Sequence, residues 1–339
     1  MKILVCGGAG YIGSNMTALL AAEGHTPVVF DNLSKGHRVA VQDAEIIIGD
    51  LADYDLLVET LKARQIEAVM HFAAWIEVGE SVAEPLKYYR NNFSNTQNLL
   101  SAMEATGVGK FVFSSTAAVY GMPRTVPIVE ETPKAPINPY GHSKWAVEQM
   151  CHYLSQTGRL NYAALRYFNA CGAGSDGARG EDHRPESHLI PLIIQAALGR
   201  RPDVKVFGTD YETPDGTCIR DYIHIDDLCR AHLLALNKLD DCDEQVYNLG
   251  NGQGYSVREV IETVKRVSGK DFKVVEADRR PGDPGILTSD ATKARRELGW
   301  VPEKPELETM VATAWKWHCD HPDGYPDRGR EPEKKTRRR

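Results

Sequence analysis

The sequence predicts an α/β fold, a doubly wound parallel sheet followed by a smaller mixed α/β domain, and three observations carry that prediction. Short apolar runs of buried-strand type recur through the first half, each followed by a segment whose apolar residues fall at helical spacing. The first run, Lys2-Ile3-Leu4-Val5-Cys6, passes at once into Gly7-Gly8-Ala9-Gly10-Tyr11-Ile12-Gly13, which places glycines at 7, 10 and 13. A second run, Thr26-Pro27-Val28-Val29-Phe30, closes on an acid, Asp31.

Glycines at that spacing meet three needs together: a tight turn, a backbone that can approach a pyrophosphate, and a closely packed helix start. Ser14 to Glu23 reads as that helix, and Gly24 ends it. A carboxylate at the end of the second strand accepts hydrogen bonds from ribose hydroxyls and repels a 2′-phosphate. The expectation is therefore a Rossmann domain that binds NAD rather than NADP through Gly7, Gly10, Tyr11, Ile12, Gly13, Asp31 and Asn32.

The alternation continues in order. Glu45 to Asp50 reads as a third strand and Tyr54 to Ala63 as a helix, so Asp50-Leu51 falls at a strand's carboxyl end, where adenine would lie. Ala68 to Ala74 is a fourth strand ending in the small residues of Phe72-Ala73-Ala74, which permit close approach of the cofactor. Glu84 to Ala105 reads as one long helix carrying Asn91 and Asn92, and Lys110 to Ser115 as the next strand. Strands and helices in this rhythm imply right-handed crossovers and a sheet covered on both faces.

Chemistry begins where that strand ends. Ser114-Ser115-Thr116 puts three hydroxyls at a carboxyl end, the edge at which open α/β sheets bind ligands. Asn138-Pro139 reads as the N-cap and first residue of a helix, whose opening turn holds Tyr140 and Lys144. At i and i+4 the two share a face, so the ammonium is expected to lower the phenol's pKa and make Tyr140 a general base.

Composition bounds the rest. The chain has 339 residues, 42% of them hydrophobic, enough for a sizeable core in one large or two ordinary domains. It contains no run of about eighteen apolar residues and no charged-then-apolar leader after Met1, so a soluble, cytoplasmic protein without membrane partners is expected. The 7 cysteines are dispersed with no Cys-x-x-Cys pair, and neither a disulfide framework nor a metal site is expected. A net charge of −7 argues against nucleic-acid binding. The basic end, 326–339, is expected to be a disordered tail.

The glycine turn, Asp31, Ser114 to Gly121 and Tyr140-Gly141-His142-Ser143-Lys144 together resemble the extended short-chain dehydrogenase/reductases. Leu165 to Asn169, His188 to Pro191, Phe207 to Tyr211, Asp215 to His224, Tyr247 to Gly250 and Arg279 to Asp283 narrow the resemblance to that family's UDP-glucose 4-epimerases, over about residues 1–320. The resemblance implies a UDP-sugar substrate, a homodimer, and NAD held throughout while the hydrogen at sugar C4 is removed and returned on the other face. It assigns catalysis to Tyr140, Lys144 and Thr116, adds Asn91, Ser114 and Tyr167 to the cofactor contacts, and places Thr116, Asn169, His188, Leu189, Phe207, Arg220, Tyr222, Arg280, Asp283 and Leu287 at the substrate. Four positions depart from the family's usual pattern: Thr116 where serine is common, Ser187 and His188 where two asparagines are common, and Ile76 in place of a lysine near the cofactor phosphates.

The second half is chemically apt for such a ligand. Arg220 and Arg280 flank glycine-containing loops, and guanidinium forks suit a diphosphate. Phe207 offers an aromatic body for uracil, and Asp283 an acceptor for ribose hydroxyls. The expected division is a Rossmann domain over 1–170 and a UDP-sugar domain over 171–325, with 218–250 packing back on the first. Epimerases of UDP-pentoses or UDP-N-acetylhexosamines would use the same residues. A 4,6-dehydratase would carry an Asp-Glu pair where Ala117-Ala118 stands, and a non-catalytic NAD sensor would lack Tyr140 or Lys144.

Overall fold

In the computed structural model, which describes residues 1–280 and 282–326, the chain begins with the expected alternation. The rest of the basic end, from 327 on, lies outside the described residues. In order come β1 (Lys2–Cys6), α1 (Tyr11–Ala22), β2 (Thr26–Asp31), α2 (Arg38–Val41), β3 (Glu45–Ile48), α3 (Tyr54–Ala63), β4 (Ala68–His71), α4 (Val78–Ala83) and α5 (Pro85–Tyr88). A π-helical turn (Tyr89–Ser94) leads into α6 (Asn95–Thr106), β5 (Lys110–Thr116), α7 (Pro139–Gln156) and β6 (Asn161–Tyr167). The second half holds β7 (Asn169–Cys171), α8 (Leu189–Ala197), β8 (Val204–Phe207), β9 (Ile219–Arg220), β10 (Tyr222–His224), α9 (Ile225–Lys238) and β11 (Glu244–Leu249). It ends with β12 (Tyr255–Ser256), α10 (Val257–Ser268), β13 (Val274–Ala277), β14 (Ile286–Leu287), α11 (Thr292–Leu298) and α12 (Leu307–Asp320).

The main sheet has seven strands in the order β11-β6-β5-β4-β1-β2-β3, all parallel. Successive side chains on a strand face opposite sides, and here both sides are dry. Ile3 and Val5 join Met70 and Val112 in a core closed by Leu228, Ala231 and Leu236 of α9. Leu4 and Cys6 join Val69, Phe111 and Phe113 against α3, α6 and α7. The chain thus returns from its second half to this sheet, supplying α9 to one face and β11 to one edge. A separate core around Ile193, Val206, Val264 and Met310 holds α8, α10 and α12 together with the small β8–β13 pair.

Winding turns back between β1 and β4, and the carboxyl ends of those two strands diverge into a crevice. Backbone crowding at that point dictates the residue. Gly7 has φ +76°, and a Cβ there would sit 2.5 Å from the Ala73 nitrogen, so only glycine fits between the two strand ends.

Four expectations change, two of them strand ends: β3 stops at Ile48 rather than Asp50, and β4 at His71 rather than Ala74. The first helix begins at Tyr11 rather than Ser14, drawing Tyr11, Ile12 and Gly13 into its opening turn. The single long helix over 84–105 is interrupted by the wide turn at Tyr89–Ser94. Its cause is a side chain that captures distant backbone: Asn92 accepts from the Trp75 nitrogen at 2.9 Å and donates to the Trp75 carbonyl at 2.9 Å.

A buried polar network ties α7 to the sheet. Arg166 on β6 and Glu148 on α7 are 4% and 2% exposed, with Nε to Oε1 at 3.0 Å and a second, short contact through Nη2. Arg166 also donates to the Tyr120 hydroxyl at 2.9 Å, which donates to Asn248 of β11 at 2.7 Å. Removing one partner of such a pair strands a buried charge, so Glu148→Ala should lower unfolding free energy by roughly 3–5 kcal/mol in denaturant titration. A loss under about 1 kcal/mol would equate the pair with an exposed one.

Candidate active site

A cleft of about 1120 Å³ runs over the carboxyl ends of the sheet and across to the second half of the chain. Every residue expected from the sequence at the cofactor, the substrate or the chemistry lines it. The individual geometries sort those residues into groups that face the cleft free and groups already held by neighbours.

At the cofactor side, Gly7, Gly10, Ile12 and Gly13 form the floor beside the start of α1, and the Tyr11 hydroxyl donates to the Gly172 carbonyl at 2.7 Å. Asp31 is 8% exposed and accepts from the Ala9 and Leu33 nitrogens at 3.0 and 2.8 Å. Burial pushes its pKa up and those two backbone bonds oppose the rise. Two N–H donors leave lone pairs on both oxygens for a ligand's hydroxyls. Asn32 donates to Asp50 at 2.8 Å, closing the adenine end beside Leu51. Phe72, Ala73, Ala74 and Asn91 line the middle, and Ser114 and Tyr167 join their hydroxyls through a short hydrogen bond. A glycine cradle at one end and a buried carboxylate with spare acceptor capacity at the other fit an adenine dinucleotide.

Thr116, Tyr140 and Lys144 meet at the centre. The Asn138 side chain caps α7 by accepting from the Gly141 nitrogen at 2.8 Å, with Pro139 as its first residue. Gly141 lets that turn press on the segment after β5: a Cβ there would lie 2.5 Å from the Ala118 carbonyl oxygen. This contact brings Tyr140 to Thr116, whose hydroxyl draws the phenol's pKa down while burial pushes it up. Lys144 is 2% exposed and donates to the Ser114 carbonyl at 2.8 Å. Its burial lowers its pKa to about 7. Burial, rather than the expected lowering by Lys144, is therefore the dominant influence on the phenol.

At the substrate side the ligand-facing groups are already paired. Arg220 and Asp283 form a close ion pair, and the Arg280 guanidinium lies 4.0 Å from the centre of the Phe207 ring. The Asn169 amide donates to the Asp221 carbonyl at 2.7 Å. Tyr222 is 4% exposed, Leu189 opens α8, and Leu287 lies on β14. His188 is flanked by Glu181 at 2.8 Å and Glu186 at 3.0 Å, which hold its pKa well above the usual range.

Sequence reasoning missed Asp221, which is fully buried and accepts from the Asn251, Gly252 and Ser289 nitrogens at 2.7, 3.0 and 2.9 Å. It also missed Trp75, Glu181, His183 and Glu186 on the cleft wall. The paired Glu-x-His spacing at 181/183 and 186/188 was the only signal for the last three.

The NAD dependent epimerase/dehydratase family model matches residues 3–250. The chain belongs to this family. Among curated members, the UDP-glucose 4-epimerase of Halalkalibacterium halodurans is 51% identical over 326 residues, 96% of this chain and 98% of its own. The crystal structure of UDP-glucose 4-epimerase from Brucella ovis in complex with NAD superposes with a TM-score of 0.91 at 48% identity, covering 93% of this chain and 97% of that one. That of the Bifidobacterium longum enzyme in complex with NAD+ and UDP gives 0.91 at 38% identity, covering 96% and 100%. For an epimerase/dehydratase, a costly buried lysine is intelligible as a functional group kept at the expense of stability.

Lys144 supplies the test. Its folded pKa lies below the unfolded value of about 10.4, so the unfolded chain binds more protons between those limits and parent stability rises with pH there. Lys144→Met, free of that cost, should melt higher than the parent, both stripped of nucleotide, by most below pH 7, with the gap closing towards pH 10. A pH-independent gap would mean that the amine is not buried at this cost.

Proposed function

We propose that the chain interconverts UDP-glucose and UDP-galactose as an NAD-dependent UDP-sugar 4-epimerase. The observation that carries this reading is the meeting of Tyr140, Thr116 and Lys144 in a cleft that also holds a dinucleotide cradle at one end and two arginines at the other. When bound, NAD supplies the reversible acceptor for the hydrogen at sugar C4. Tyr140 accepts the proton of the 4-hydroxyl and returns it to the same oxygen, and Thr116 hydrogen-bonds that oxygen and orients it. Lys144 sits behind them to hold a ribose hydroxyl. The Arg220 and Arg280 forks, released in part from Asp283 and Phe207, grip the diphosphate. Binding energy concentrated on the nucleotide leaves the sugar free to present either face, which inversion requires.

The same reading divides the chain into a cofactor domain over 1–170 and a sugar-nucleotide domain over 171–325, with 218–250 packing back on the first. The pairing of β11 with β6 and the packing of α9 support that packing back. We propose a homodimer as well. Leu86, Tyr153 and Val82 are 77%, 66% and 63% exposed on α5, α7 and α4, helices suited to pairing with a second copy. No described helix is long and apolar enough to cross a membrane, and a cytoplasmic site of action suits the nucleotide-sugar substrates.

Tyr140→Phe removes the base and little else. Its turnover should fall by about 10²–10⁴ while nucleotide released on denaturation stays stoichiometric. Near-parental turnover in that variant would sink the assignment of Tyr140.

A further inference from the structure

The loop before α8 carries Glu181, His183, Glu186 and His188, two Glu-x-His pairs whose ligand atoms all lie within 4.8 Å of one another. His183 Nδ1 is 3.1 Å from Glu181 Oε1 and 3.9 Å from Glu186 Oε2. His188 Nδ1 is 2.8 Å from Glu181 Oε1 and 3.0 Å from Glu186 Oε1. Neighbouring ligands on a tetrahedral zinc stand roughly 3.4 Å apart, given metal–ligand distances near 2.0–2.2 Å, so the four groups lie within about an ångström of the spacing of a coordination shell.

Two features do not suit a plain set of ion pairs. Both carboxylate side chains are only 5% exposed, which is costly unless their charge is fully matched. His183 Nδ1 is shut off from solvent and meets Glu181 at 3.1 Å without a well-formed hydrogen bond. In the tautomer protonated at Nε2, that nitrogen offers a lone pair to a metal.

We infer that Glu181, His183, Glu186 and His188 form a divalent transition-metal site, of zinc type, on the wall of the cleft. Two carboxylates match the charge of one dication, which on binding displaces the proton that they hold on His188, and imidazole favours zinc over magnesium or calcium. Bound there, the ion locks the segment 181–188 in place. That segment faces the Tyr11 ring, 6.4 Å from the His183 ring, and leads directly into α8 through His188 and Leu189. The role is structural and stands apart from the hydrogen transfer at C4. No metal was expected from the sequence, where the cysteines were the ligands sought.

The test uses the full chain with its bound nucleotide, dialysed against a chelator and then titrated with Zn²⁺ in competition with a chromophoric indicator. One equivalent of zinc should bind per chain, and His183→Ala and Glu186→Gln should each weaken that binding by roughly a hundredfold without loss of bound nucleotide. X-ray absorption on the native chain should show nitrogen and oxygen ligands only, which decides the matter even if a variant misfolds. No zinc uptake by the native chain, uptake undiminished in both folded variants, or sulfur scattering from the bound ion would each overturn the site and leave His188 as an ion-paired residue only.

Discussion

The buried Glu148–Arg166 pair is the contact on which the geometry of the cleft depends. Glu148 lies one helical turn beyond Lys144 on α7, so the bond that seats Glu148 against β6 also sets the height and rotation of Tyr140 and Lys144 over the sheet. Through Tyr120 and Asn248 the same network reaches β11, the strand by which the second half of the chain rejoins the first. The Asn248 nitrogen also donates to Glu130 at 2.8 Å, which anchors the loop between β5 and α7. Buried pairs contribute little net stability compared with apolar packing. What this one supplies is position, and a proton-transfer site loses function when a side chain moves by about an ångström.

Around that frame the site is assembled from costs accepted elsewhere. Lys144 is buried beside the Phe113 ring, with its ammonium 4.8 Å from the ring centre, and its pKa falls to about 7. Asp31 is buried against its ordinary preference and sustained by two backbone bonds. At the other end, Arg220 and Arg280 find partners within the protein, an acid and an aromatic face, which keep them in the cleft. In the proposed reading a diphosphate competes with those partners for the two cations.

The sequence carried the first half of the fold well because its signals are local. Apolar runs marked the strands of the main sheet, and Gly7 and Asp31 marked the crevice, since each requirement is met within a few residues of chain. Tyr140 and Lys144 were legible for the same reason, four residues apart on one turn. The wide turn at Tyr89–Ser94 was not, because its cause is Trp75, a residue outside any local pattern. In the second half the residues came from family resemblance, and their actual contacts could not have been read from spacing. Arg220 meets Asp283, and Asp221 gathers donors from Asn251, Gly252 and Ser289, across long stretches of chain. Glu181, His183 and Glu186 had a short-range pattern, but it matched no expected motif.

The central claim is that these groups act together at C4 of a UDP-hexose. It is tested most directly by incubating the purified protein with UDP-galactose in ²H₂O, separating the nucleotide sugars and examining C4 by NMR. The account predicts a mixture of UDP-galactose and UDP-glucose, the same from either starting sugar, with no solvent deuterium at C4. Recovery of the starting sugar alone, or deuterium at C4, would contradict it.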